Sequence, residues 1–202
     1  ETNPQRHVIL HELVHNIYNE DFQGDYSYEC LLEVAKYKHT FVDQVHYIMG
    51  NHELCEIQAK EIMKDGKPIP LVFGKGHKYG APVQEACKGF LKGLPYAVHT
   101  PTGVWFSHST PEKLLKRFSL EMLLQAGDGG HFSKTQDTLR DDVREDLVWG
   151  RDYSIASARE FAEKVKCPIL VVGHTPCGPS GFMTPNPHHV IIDSKDSTAA
   201  IL

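Results

Sequence analysis

Short apolar runs of β type alternate with longer stretches of helical spacing along most of the chain. Residues 7–10 (HVIL), 45–49 (VHYIM), 96–100, 103–107 and 168–172 (PILVV) are compact apolar runs, and 188–194 (HHVIIDS) and 198–202 (TAAIL) add two closing strands. Between them, apolar positions three and four apart predict helices over 27–41, with Ser27 as the cap, and over 53–64, 83–94, 112–126 and 157–165. The Pro-Thr-Gly at 101–103 predicts a hairpin turn between two of the strands. Residues 16–27, 65–82 and 127–140 are polar or rich in Gly, Pro and Lys, and are expected as loops. No internal repeat or low-complexity segment interrupts the alternation. The pattern is that of an α/β fold.

Composition narrows the class. The 202 residues are most simply one domain with a sizeable core. A formal net charge of -5 with no long basic run argues against duplex nucleic acid as a partner. No run of about 18 apolar residues predicts a membrane span. Five scattered cysteines, Cys30, Cys55, Cys87, Cys167 and Cys177, form no CxxC pair and read as reduced thiols of a cytoplasmic protein. The 13 histidines point to metal or proton chemistry. A start at Glu1 without Met, and an end inside an apolar run, lead us to expect a fragment or a processed form lacking sequence at the N-terminus.

The candidate chemistry lies where strands end. Asn51-His52 follows the run at 45–49, His108 follows 103–107, and His174 follows 168–172. Open α/β architectures bind ligands at the carboxyl ends of their strands. The run at 7–10 ends in His11-Glu12-Leu13-Val14-His15, which fits the H-E-x-x-H string of zinc proteases. That chemistry needs a helix across 8–16, so that both histidines share one face. The β-branched HVIL before it predicts a strand instead, so the protease is kept only as a minor alternative. His99, His131, His188 and His189 are expected to be surface or structural histidines.

The order GNHE (50–53), SHSTP (107–111) and GHTP (173–176), with DLVWGRDY (146–153) between the last two, resembles the calcineurin-like metallophosphoesterases, in the branch of Ser/Thr protein phosphatases and diadenosine tetraphosphatase-like enzymes. The resemblance runs from about residue 27 to the end. It implies a sandwich of two mixed β-sheets flanked by helices and two divalent metal ions, Mn, Fe or Zn, that activate water against a phosphoester. It also implies that Asn51, His108 and His174 are metal ligands and that His52 is a general acid beside the leaving oxygen. Arg151 is a candidate phosphate clamp, because a guanidinium matches phosphate bidentately. The substrate class is a phosphorylated small molecule, a nucleotide or a phosphoprotein.

Two earlier motifs of that family, Asp-x-His and Gly-Asp-x-x-Asp, build the first metal site. The first has no match here. For the second, Glu12 and His15 stand after an apolar strand in the spacing of its two acids, and Gly24-Asp25 offers a second candidate without a preceding strand. A third possibility places both motifs upstream of Glu1. Ser109-Thr110 stands where the family has Gly-Gly, and no Arg follows GNHE closely, which weakens a protein-phosphatase reading specifically. The missing first site also motivates an alternative, a phosphatase-fold module that binds without catalysing.

Overall fold

The computed structural model describes residues 6–15, 18–19, 24–25, 27–64, 67–69, 80–123 and 134–193. The chain divides into two compact units, 1–95 and 96–202. Among the described residues, five α-helices and a mixed sheet give a mixed α/β architecture. Among the described residues no helix is long and apolar enough to cross a membrane. The closing strand expected at 198–202 lies outside the described residues, as does His131.

In the first unit, β1 (Val8–Leu10) pairs in parallel with β4 (Val45–Tyr47), in the register Leu10 to Tyr47. A parallel pair needs a crossover, and helix α1 (Ser27–Thr40) lies between the two strands in sequence. The ladder continues past the strand ends, where Ile48 N donates to Leu10 O at 2.9 Å. Both carboxyl ends therefore face the same way. β2 (Tyr18–Asn19) and β3 (Gly24–Asp25) form a separate antiparallel pair.

Helix α2 (Asn51–Gln58) stops earlier than the spacing over 53–64 predicts. Ala59 takes a left-handed conformation, φ 55°, and Lys60 N closes the end onto Cys55 O at 3.0 Å. The chain then turns into a hairpin of β5 (Ile62–Lys64) and β6 (Lys67–Ile69), where helix and loop were expected. Ile62 is buried, so tertiary burial overrides the helical pattern. α3 (Gly80–Lys92) completes the unit.

The second unit is built on a five-stranded sheet. β7 (Ala97–His99), β8 (Val104–Ser107), β9 (Ile169–Val172), β10 (Phe182–Met183) and β11 (His189–Ile192) lie in the order β10-β11-β9-β8-β7. β8, β9 and β11 are mutually parallel, with antiparallel strands at both edges. The expected hairpin and the PILVV strand are present. Trp105 and Leu170 from the sheet meet Phe161, Ala162 and Val165 of α5 (Ile155–Val165) in the core, with the Trp105 and Phe161 rings edge to face.

Two expectations fail in this unit. The helix predicted over 112–126 appears as two short 3-10 turns, Leu115–Arg117 and Leu120–Leu123, within the described part of that range. The carboxylate of Asp146 accepts from the backbone N–H groups of Glu112, Lys113 and Leu114, at 2.9, 3.1 and 2.8 Å. That holds the segment in a turn, from which Leu115 and Phe118 reach the core. Conversely, α4 (Lys134–Trp149) begins inside the expected loop at 127–140. Leu139, Val143 and Leu147, four apart, line its core face. The Gly-rich residues before it masked that period.

Candidate functional site

The first unit carries its candidate residues at the carboxyl ends of β1 and β4. Asn51 and His52 open α2, and the first six residues of that helix, Asn51 to Glu56, are all buried. Glu53 organises the turn before it. Its Oε1 accepts from Leu13 N at 2.7 Å, Val14 N at 3.3 Å and the Tyr47 hydroxyl at 2.8 Å, and its Oε2 from Gly50 N at 3.1 Å. Burial pushes the Glu53 carboxyl above its usual range, while these donors pull it back. Burial likewise raises the Tyr47 phenol well above its ordinary value, with the Glu53 charge adding to it.

The segment 11–15 held by Glu53 is not helical, so the pairing of His11 and His15 that a zinc protease needs is absent. Instead Glu12 and His15 sit at positive φ, 53° and 63°. His174 of the second unit is a third such residue, φ 66°. Among the described residues the two other non-glycine positions at positive φ, Ala59 and Lys166, are helix C-caps, where that conformation is ordinary. The three that no cap explains all follow strand ends at candidate positions. Strain of this kind persists where the surroundings over-determine it, and it clusters at functional sites.

Glu12 and His15 join His52 in one network. His52 Nε2 lies 3.4 Å from Glu12 Oε1, and His52 Nδ1 lies 3.3 Å from His15 Nδ1. His15 Nε2 is 2.6 Å from Glu56 Oε1, with both side chains fully buried. Glu56 was not singled out in the sequence. The readable signal was its place four residues after His52 on a helix, which puts the two on one face. Asp25, the other candidate acid, lies in β3, and no sheet pairing among the described residues ties β3 to β1 or β4.

In the second unit, His108 and His174 follow the adjacent parallel strands β8 and β9. Gly173 N donates to His108 O at 3.0 Å and ties the two strand ends together. Both side chains are buried, and His108 Nε2 lies 3.0 Å from His174 Nδ1. Two imidazoles at right angles on one ion with bonds of about 2.1 Å would sit about 3.0 Å apart. The same 3.0 Å is a hydrogen-bond distance between the two rings, while imidazole as a donor type suits a transition metal.

Around the pair, Trp149 stands edge-on to the His174 ring at 5.8 Å and is 39% exposed. Arg151 is exposed, and its Nη2 donates to His174 O at 3.3 Å. Its backbone N–H is fixed by Glu112 Oε2 at 2.9 Å.

Ser109 and Thr110 are buried rather than displayed. Ser109 O accepts from the Ser107 hydroxyl, and the Ser109 hydroxyl donates to Gly150 O, so the Ser109 side chain is used in fixing the loop after β8. Of the four histidines expected to be surface or structural, His99 is exposed and His188 half-buried. His189 is buried, accepts from Asn186 Nδ2 at 2.8 Å, and has its pKa lowered by burial to about 4.

The fold is one found among solved phosphatases. A cold-active protein-tyrosine phosphatase of a psychrophilic Shewanella species superposes with a TM-score of 0.62 at 16% identity, covering 93% of this chain and 60% of the other. A protein serine/threonine phosphatase from Saccharomyces cerevisiae, with similarity to human phosphatase PP5, superposes with a TM-score of 0.58 at 14% identity, covering 84% and 53%. The chain thus spans 60% and 53% of the lengths of these two structures. No protein-family model matches the sequence, and no curated protein does.

Proposed function

We propose that the protein is a metal-dependent phosphoester hydrolase of the calcineurin-like type. The observation that carries this reading is the buried His108–His174 pair, 3.0 Å apart at the ends of adjacent parallel strands, with His174 in a strained backbone conformation. Such a pair suits Mn, Fe or Zn. The sequence resemblance alone adds Asn51 as a further ligand and a second ion. When bound, two divalent ions polarise the phosphoryl group and lower the pKa of a water.

The chain's own residues account for the remaining roles. His52, bracketed by Glu12 and His15, holds a proton for the leaving oxygen. Arg151, anchored through Glu112 and the His174 carbonyl, turns a guanidinium to solvent, where it can clamp a phosphate. The half-exposed Trp149 beside it supports a nucleotide or a small aromatic phosphate ester as readily as a phosphoprotein. The five free thiols support a cytoplasmic location.

The test is turnover of p-nitrophenyl phosphate, a nucleotide and a phosphopeptide by protein loaded with Mn, Fe(II) or Zn. His108→Ala and His174→Ala should lose both metal and activity. His52→Asn should keep metal and lose kcat by about 10²- to 10⁴-fold. Arg151→Ala should raise KM. Metal bound through His108 and His174 with no turnover of any substrate would favour the non-catalytic binding module. No metal dependence on either histidine would sink the reading.

A further inference from the structure

His174 is the middle residue of a turn that costs free energy to hold. Thr175 N donates to Gly173 O at 2.8 Å, which closes a three-residue γ-turn, and the φ of 66° makes it the rare, strained form. In the relaxed form, at negative φ, the side chain lies out in the plane of the turn. At positive φ it stands off that plane. A switch to the relaxed form would carry the His174 ring away from His108, where the two centroids now lie 4.8 Å apart.

Strain of this kind persists only where the surroundings over-determine it. Here the partners can be named. Gly173 N donates to His108 O at 3.0 Å, and the Cys177 thiol donates to Thr175 O at 3.3 Å. Two side chains reach the turn from the segment before α5. Arg151 Nη2 meets His174 O at 3.3 Å, a long contact from an exposed residue, where water competes. The half-buried Tyr153 places its hydroxyl 2.6 Å from Thr175 Oγ1. Of the two, the tyrosine is the firmer restraint.

Tyr153 is itself fixed. Asn186 Nδ2 donates to its carbonyl oxygen and to His189 Nδ1, both at 2.8 Å, and the His189 ring packs edge to face against the phenol ring at 5.3 Å. Asn186 Oδ1 in turn accepts from the backbone N–H groups of His188 and His189, at 2.9 and 3.1 Å, where β11 begins. The sheet, rather than the loop that carries it, thus sets where the Tyr153 hydroxyl stands.

We propose that Tyr153 is a positioning residue: through Thr175 its hydroxyl holds His174 in the strained turn that aims the imidazole at His108. The consequence for metal binding rests on the hydrolase reading above, whereas the hold on the turn does not.

Tyr153→Phe removes the hydroxyl and keeps the ring against His189, and Thr175→Val removes the other partner of the same bond. Zn titrated into metal-free protein against a competing chelator measures the site, taken as the binding that His174→Ala abolishes. Crystal structures of the metal-free wild type and variants measure the turn. Tyr153→Phe and Thr175→Val should each bind Zn about ten- to a hundredfold more weakly than wild type, the range for outer partners of a metal-binding histidine. The double variant should be no weaker than either single one, since both remove one bond. Thr175→Ser keeps a hydroxyl and should keep the affinity. In the metal-free crystals His174 should hold its positive φ in wild type and Thr175→Ser, and lose it in Tyr153→Phe.

A Tyr153→Phe protein whose His174 keeps its positive φ overturns the proposal, and unchanged Zn affinity overturns the part the turn plays in metal binding. Should Tyr153→Phe not fold, Thr175→Val against Thr175→Ser decides by the same two measurements. If wild type binds no Zn through His108 and His174, the hydrolase reading fails, and the crystal structures alone decide the hold on the turn.

Discussion

Replacing Gly150 by alanine should damage the second unit far more than its single added methyl suggests. A Cβ built at Gly150 lies 2.0 Å from the carbonyl oxygen of Thr110, and 3.1 Å from both Asp146 O and Glu112 N. Carbon–oxygen contacts below 3.0 Å are essentially not found, so the gap to Thr110 must open by about 1 Å. All three neighbours are backbone atoms, and no side chain can swing away.

The segment that must move begins two residues after His108. It is pinned to the end of α4 by the Ser109 hydroxyl on Gly150 O and by the three backbone N–H groups on Asp146. Overpacking of this kind costs about 1–3 kcal/mol. One or two hydrogen bonds lost with it add about 1 kcal/mol each. The expected destabilisation is about 2–5 kcal/mol, read as a drop of about 1–2.5 M in the urea midpoint at a slope near 2 kcal/mol per molar.

The same change at Gly89 serves as the control. That glycine lies inside α3 and nothing stands within 4 Å of its built Cβ, so alanine there should stabilise by about 0.5–1 kcal/mol. If Gly150→Ala shifts the midpoint no more than Gly89→Ala does in magnitude, the close approach of loop and helix is not as described and the reasoning fails. Should the variant fold, a 1 Å displacement beside His108 should also cost about a hundredfold in turnover under the hydrolase reading.

Two further outcomes follow from buried groups. Glu53→Ala removes the acceptor of four donors at once, Leu13 N, Val14 N, Gly50 N and the Tyr47 hydroxyl, and should cost roughly 3–5 kcal/mol in urea unfolding. A loss under about 1 kcal/mol would mean that the loop at 11–15 is held by something else. His189 has its pKa lowered to about 4 by burial, so the unfolded chain binds a proton more readily between that value and the ordinary histidine range near 6.5. Stability should therefore fall as pH drops through this window, and His189→Gln should flatten the fall. Equal slopes for wild type and variant, compared by urea midpoints at several pH values, would refute the assignment.

Local pattern made much of the molecule legible. Ile169–Val172 and Val104–Ser107 form strands because short runs rich in β-branched and aromatic residues suit a buried sheet. Ile155–Val165 forms a helix because Ala158, Phe161, Ala162 and Val165 fall on one face. The ends of the two strands, and hence the places of His108 and His174, follow from the same strings.

What was misread depended on partners far along the chain. The segment after Glu112 reads as a helix until Asp146, over 30 residues away, takes its N–H groups. HELVH matches a zinc-protease string, and the strand before it already argued against a helix, but only Glu53, accepting from Leu13 N and Val14 N, shows what holds the segment as a loop. Periodicity reports only which residues share a face within one element. Which buried carboxylate satisfies which donor is decided by packing between elements. Glu12, His15, His52 and Glu56 become one network only because β1 and β4 run side by side, with the loop after one and the helix after the other. The sequence determined the elements and the histidines at their ends, and tertiary structure alone decided which carboxylate meets which histidine.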